Sequence, residues 1–104
     1  MLTPEFLRSK FELAAPYAAY VATGKPEQQT NWHAAHARVN LTGPQRALIA
    51  GFTRRMPVLV VSGTWCGDCV AQCPLLDIIA DGKPDLIRVR FVDRDAHASL
   101  AEQV

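Results

Sequence analysis

The sequence predicts an α/β protein in which a helical N-terminal half precedes a βαβ unit that carries a Cys-x-x-Cys motif. Residues 1–56 contain repeated signals for helix starts and ends, with no convincing strand among them. Residues 58–61, Val-Leu-Val-Val, form a continuous apolar run typical of a parallel strand covered on both faces. Residues 67–80 then follow helical spacing, and residues 86–92 form a second strand-like segment.

Two short helices are expected at the N-terminus. Thr3 is placed to act as an N-cap, and Pro4 suits the first helical position. Pro16 should end this first helix, because proline disrupts helical hydrogen bonding. A second helix over residues 17–22 would stop at Gly24.

Two further helices complete the predicted N-terminal half. Pro26 is expected to begin a third helix that carries Trp32. Thr42 and Gln45 have the spacing of a capping box, in which each side chain bonds to the backbone of the other residue. The fourth helix should therefore begin there and continue to just before Pro57.

The predicted crossover helix, residues 67–80, connects the two strands in a right-handed βαβ unit. We expect one stripe of this helix to face the sheet. The stripe has members spaced four, three and four residues apart: Cys69, Cys73, Leu76 and Ala80. A last helix should begin near Ala96.

Composition limits the classes of function. A chain of 104 residues with 49% hydrophobic content is one small domain with a modest core. A net charge of +1 gives no strong field to attract nucleic acid, and no apolar stretch is long enough to span a membrane. The N-terminus lacks a basic stretch followed by an apolar one, so we expect a soluble cytoplasmic protein. Three cysteines in such a chain favour redox or metal chemistry over structural disulfides.

The cysteine motif begins at the start of the crossover helix. Unpaired backbone N–H groups and the helix dipole lower the pKa of a thiol at a helix N-terminus, so Cys66 or Cys69 can attack a disulfide as a thiolate. Its partner, one turn away, can then resolve the mixed disulfide.

The run from Trp65 to Ala80 resembles the active-site segment of the thioredoxin family. That segment reads Trp-Cys-Gly-Pro-Cys, four further residues, a proline inside the helix, then Leu-Asp and an apolar pair. The matching residues are Trp65, Cys66, Gly67, Cys69, Pro74, Leu76, Asp77, Ile79 and Ala80. A strand, a tryptophan, a cysteine pair and a correctly spaced proline are together much rarer than Cys-x-x-Cys alone. A weaker resemblance continues over residues 85–95.

The resemblance implies a thioredoxin-like fold over residues 1–104, with 1–56 as a helical N-terminal region and 57–104 as a partial thioredoxin core. It implies a thiol–disulfide oxidoreductase active in cell redox homeostasis, with Cys66 as the exposed nucleophile and Cys69 as the buried resolving thiol. Trp65 would shield the pair and present an apolar surface to a partner.

The active-site surround would comprise Trp65, Gly67, Asp68 and Pro74. The expected partners are a protein or small-molecule disulfide and an unidentified reductant. We expect no cofactor, metal, nucleic acid or membrane partner.

Several features depart from the family pattern. A buried acidic residue commonly lies six positions before the first cysteine, where this chain has Val60. Asp68 stands where proline is usual, and its carboxylate should raise the pKa of the thiols and make the pair a weak oxidant. The family's cis-proline segment would begin at about Val104, so the sequence predicts an incomplete, truncated domain. Two strands would leave unpaired edges, favouring a homodimer unless N-terminal helices cover them.

Two alternative functions remain open at this stage. The chain could be a non-catalytic helical interaction module built on a thioredoxin remnant. It could instead bind a metal through Cys66, Cys69 and Cys73, with His97 as a possible fourth ligand. We interpret Cys73 as a core residue.

Other polar and aromatic residues have simpler interpretations. We interpret His33 and His36 as solvated. Trp32 with Tyr17 and Tyr20 is interpreted as helix packing rather than a ligand cage. Five arginines are interpreted as solvated surface charges: Arg54, Arg55, Arg88, Arg90 and Arg94.

Overall fold

The computed structural model describes residues 3–102 and contains the predicted order of elements. These are α1 (Pro4–Leu13), α2 (Tyr17–Val21), α3 (Pro26–Arg38), α4 (Gly43–Ala50), β1 (Met56–Ser62), α5 (Gly67–Asp81), β2 (Ile87–Asp93) and α6 (Ala98–Ala101). The fold class is therefore the predicted one. No helix within residues 3–102 has the length and apolar character needed to cross a bilayer.

The helix starts follow the predicted caps, whereas one helix end does not. The Thr3 side chain accepts a hydrogen bond from the backbone N–H of Phe6 at 3.1 Å, and Thr42 and Gln45 form the capping box. The prediction that α4 continues almost to Pro57 was wrong. The helix ends at Ala50, because Gly51 is its C-cap and its N–H bonds back to the last carbonyls.

Strands β1 and β2 pair in parallel, from Met56 opposite Ile87 to Ser62 opposite Asp93, and α5 is the crossover between them. In the described part of the chain these two strands make the whole sheet. The carboxyl ends of parallel strands meet at the same edge of a sheet. The segments that follow Ser62 and Asp93 are therefore neighbours.

The expectation of two unpaired sheet edges was wrong for β2. Ala15, in the link between α1 and α2, forms an antiparallel bridge with Phe91 on the outer edge of that strand. The Ala15 N–H donates to the Phe91 carbonyl at 3.0 Å, and the Phe91 N–H donates back at 2.7 Å. The outer edge of β1 has no strand partner among residues 3–102.

The largest part of the core is aromatic and lies between α5, β2 and the N-terminal helices. Tyr20 stacks on Phe91 with ring centroids 5.5 Å apart, and Tyr17 lies 5.9 Å from Trp32. Cys73 packs against this cluster, as its place on the inward stripe predicts. The interpretation of the three aromatic side chains as packing residues is therefore confirmed.

Two smaller apolar clusters cover the rest of the sheet. One joins Ala14, Val92 and Leu100, and the other joins Ala80 of α5 to Ile49 and Ile87. Residues 58–61 of β1 are only half-buried, so the prediction of full cover on both faces was wrong for this strand.

Two hydrogen bonds tie the N-terminal helices to the segment just before the cysteines. The Trp32 indole N–H donates to the Thr64 carbonyl at 2.9 Å, and the side chain of Trp32 is fully buried. The fully buried Ser62 hydroxyl donates to the Tyr20 hydroxyl at 2.8 Å. Because buried polar groups are costly when unpaired, these bonds fix the segment relative to α2 and α3.

The interpretation of His36 as solvated was wrong. Its Nε2 lies 2.9 Å from an Asp77 carboxylate oxygen, and its ring lies 5.2 Å from that of Tyr17. His33 is exposed, as expected. The pair of His36 and Asp77 joins α3 to the middle of α5.

Trp32→Phe tests whether the indole anchor stabilises the fold. We expect a loss of about 1–3 kcal/mol in the free energy of unfolding, because the variant leaves the Thr64 carbonyl unpaired and a space in the core. Urea denaturation followed by circular dichroism measures this loss. Trp65→Phe is the matched control, since Trp65 is 54% exposed, and it should cost less than about 1 kcal/mol. Equal losses in the two variants would contradict the anchor.

Candidate active site

The cysteine motif occupies the turn between β1 and α5. Cys66 is the N-cap of α5, and its own N–H donates to the Gly63 carbonyl at 3.0 Å. A Cβ atom on Gly63 would lie 2.7 Å from the Trp65 ring, so a side chain there would displace the ring from this position. The turn thus places Trp65 across Gly63 and Cys66 at the first turn of the helix.

Cys66 is the thiol whose environment most favours the thiolate. The backbone N–H of Cys69 contributes most to lowering its pKa, followed by the Cys69 side chain. The N–H of Asp68 and the Arg94 side chain also lower this pKa. The two backbone groups belong to the first helical turn, where N–H groups have no partner within the helix.

The thiols of Cys69 and Cys73 lie deeper, and their pKa values are raised instead of lowered. Burial raises the pKa of Cys69, although an N–H from Gly63 partly offsets this. Burial raises the pKa of Cys73 to about 12. All three thiols are free in the structure. Thiolate character therefore falls along α5 from the half-exposed Cys66 to the buried Cys73.

Asp68 acts on Cys66 through its backbone, an effect separate from the one expected of its carboxylate. Its side chain is exposed, and its backbone N–H helps to lower the pKa of Cys66. Replacing Asp68 by proline would remove that donor together with the carboxylate.

The other residues of the predicted surround lie at different depths. Trp65 is 54% exposed, whereas Pro74 is buried inside α5. Gly67 is exposed, and a Cβ atom there would meet nothing within 4 Å, so space alone does not require glycine. Only Trp65 and Gly67 of these three line an open cleft of about 460 Å³ between α3 and the start of α5.

Arg94 is the residue of this site that the sequence interpretation missed. Its side chain is exposed, as expected of a solvated charge, yet its guanidinium lies 4.8 Å from the centre of the Trp65 ring and lowers the pKa of Cys66. A usable signal was present, because Arg94 directly follows β2 and the cysteine turn follows the parallel β1.

The geometry does not favour the metal-binding alternative. Within residues 3–102, no group of three or more His, Cys, Asp or Glu side chains is arranged to hold a metal ion. The Nδ1 atom of His97, the possible fourth ligand, lies 3.3 Å from the Lys10 amine.

Comparisons with known proteins place the chain in context. The family model described as thioredoxin matches residues 14–104. A protein of unknown function from Pseudomonas aeruginosa has a similar crystal structure, with a TM-score of 0.82 and 21% identity over 99% of this chain and 62% of its own. An HIV epitope-scaffold is similar over 89% of this chain and 58% of its own, with a TM-score of 0.79 and 21% identity. The chain thus spans about three fifths of the length of each structure. No curated protein is significantly similar in sequence.

The pKa directions predict the order in which the thiols react. Iodoacetamide at pH 7 should label Cys66 first, Cys69 more slowly and Cys73 only after unfolding, because alkylation requires an accessible thiolate. Peptide mass spectrometry over a time course measures the order. In a Cys66→Ser control, early labelling should disappear instead of moving to Cys73. Faster labelling of Cys69 or Cys73 in the native chain would contradict the assignment.

The backbone effect of Asp68 can be separated from its charge by comparing Asp68→Asn with Asp68→Pro. Both variants remove the carboxylate, but only proline removes the N–H. We expect the pH midpoint of Cys66 alkylation to be higher in Asp68→Pro than in Asp68→Asn, because only the proline variant loses an N–H that lowers the pKa of Cys66. Identical midpoints would show that this N–H does not act on Cys66.

Proposed function

The chain belongs to the thioredoxin family, and on that premise we propose that it is a thiol–disulfide oxidoreductase that uses a reversible Cys66/Cys69 dithiol and disulfide. The supporting observation is the contrast between the two thiols. Cys66 lies at a helix start with a lowered pKa, and Cys69 follows one turn later with a raised pKa. This contrast separates an attacking thiolate from a resolving thiol.

In the first step, the Cys66 thiolate attacks one sulfur of a substrate disulfide. A new sulfur–sulfur bond forms at Cys66, the substrate bond breaks, and the leaving sulfur departs as a thiolate that takes a proton from water. The half-exposed position of Cys66 and the open side of Trp65 leave room for a substrate chain to approach.

In the second step, Cys69 loses its proton to solvent and attacks the Cys66 sulfur. The substrate's second thiol is released, the protein holds a Cys66–Cys69 disulfide, and the substrate has gained two electrons. Val60, at the position where the family commonly buries an acid, packs against the apolar core cluster. Because burial raises the pKa of Cys69, we propose that this second step is slower than the first.

The proposed partners are a protein or small-molecule disulfide and a separate reductant that restores the dithiol. A reducing compartment such as the cytoplasm would keep the pair reduced. Self-association is also proposed, since the outer edge of β1 has no strand partner among residues 3–102 and residues of β1 line an apolar groove of about 340 Å³. That groove is formed by Leu7, Leu59, Val60, Val61 and Leu100.

Exchange with a small neutral disulfide tests the proposal. The reduced protein should consume hydroxyethyl disulfide and lose two of its own free thiols. Treatment with a reductant should restore both thiols. Cys66→Ser should abolish the reaction, whereas Cys69→Ser should stop at a stable mixed disulfide that intact mass spectrometry detects. Cys73→Ser is the control and should still lose two thiols. A non-catalytic interaction module would show none of these changes, and that result would overturn the proposal.

A further inference from the structure

Arg94 is fixed at the rim of the cysteine turn by its backbone. It directly follows β2, and its N–H donates to the Ser62 carbonyl at 2.8 Å. Ser62 ends β1 and is fully buried. The chain at Arg94 is therefore held against the strand end from which the cysteine turn leaves.

The Arg94 side chain is placed by a second, separate contact. Its guanidinium lies 4.8 Å from the centre of the Trp65 ring, a distance typical of a cation–π interaction. Trp65 precedes Cys66 in the chain and rests on Gly63, where there is no room for a side chain. These contacts keep a positive charge against the side chain that precedes Cys66 in the chain.

The charge on Arg94 has no carboxylate partner in the described part of the chain. Among residues 3–102 the one close contact between a basic side chain and a carboxylate joins His36 to Asp77. Of the neighbouring acids, Asp93 accepts a hydrogen bond from the Asp95 N–H, and Asp68 is exposed on the first turn of α5. The Arg94 guanidinium lowers the pKa of the Cys66 thiol, so the Cys66 thiolate is the anion that it stabilises.

We propose that Arg94 makes Cys66 select disulfides that carry a carboxylate close to the disulfide bond. This inference rests on the proposed exchange reaction. When the thiolate attacks, its negative charge passes to the leaving sulfur, and Cys66 becomes a neutral mixed disulfide. Arg94 then loses its anionic partner, and a carboxylate on the bound half of the substrate takes that place. The guanidinium can bind a carboxylate through two parallel N–H donors.

Three small disulfides of similar size provide the probes: dithiodipropionate is anionic, hydroxyethyl disulfide is neutral and cystamine is cationic. Each is reacted with the full chain carrying Cys69→Ser, so that the first step alone is followed by intact mass. Rates are divided by those of mercaptoethanol with the same disulfide, which removes the intrinsic reactivity of each probe.

The normalised rate for dithiodipropionate should exceed that for cystamine, and Arg94→Gln should reduce this ratio about three- to tenfold, the effect of one charge at an exposed rim. Arg94→Lys should retain part of the ratio, because it keeps the charge without the paired donors. Arg88→Gln removes an exposed arginine from β2, the strand that Arg94 follows, and should leave the ratio unchanged. Salt at 0.5 M should reduce the ratio for the protein that retains Arg94, since salt screens exposed charges.

A ratio unchanged by Arg94→Gln, while hydroxyethyl disulfide still reacts, would overturn the selectivity. An equal fall in Arg88→Gln would also overturn it, since the effect would then come from net charge. Failure of all three disulfides to react with any variant would instead overturn the proposed exchange reaction. A circular dichroism melt confirms that each variant is folded. If Arg94→Gln does not fold, the comparison with Arg94→Lys still tests the selectivity.

Discussion

The parallel pairing of β1 with β2 is the constraint on which the site depends. Ser62 pairs with Asp93 at the ends of the two strands, so the turn that carries the cysteines and the residue that follows β2 must be neighbours. The backbone bond from Arg94 to Ser62 continues that pairing by one residue. A shift of register would move Arg94 away from Trp65 and turn the side chains of one strand to the opposite face.

The N-terminal helices contribute to the site rather than forming a separate module. Trp32 and Tyr20 contact the short segment between β1 and the cysteines through two hydrogen bonds, at Thr64 and Ser62. Burial also raises the pKa of Tyr20 to about 12, so its hydroxyl stays protonated in this network well above physiological pH. Since an orphaned buried polar group costs about 1–3 kcal/mol, separating these helices from the sheet would destabilise the segment that leads into the cysteine turn.

Local signals made much of the fold predictable, whereas pairings between distant residues escaped prediction. The caps at Thr3 and Thr42 depend on neighbours within three residues, so sequence spacing reveals them. The bridge of Ala15 to Phe91 involves one residue in a link without strand periodicity. The contact of Arg94 with Trp65 also joins residues that are far apart in sequence, and from the sequence alone a surface arginine looks like any other solvated charge.

The difference between the thiols follows from depth along a single helix. Cys66, at the N-cap, gains the unpaired N–H groups of the first turn. Cys69 lies one turn further in, and Cys73 belongs to the apolar core, so the cost of burying a charge rises in the same direction. This gradient orders the thiols without help from a buried acid at the position of Val60. We therefore expect the helix geometry and the core behind it to set the order of reactivity, and we expect the Arg94 charge at the rim to act chiefly on the proposed first step.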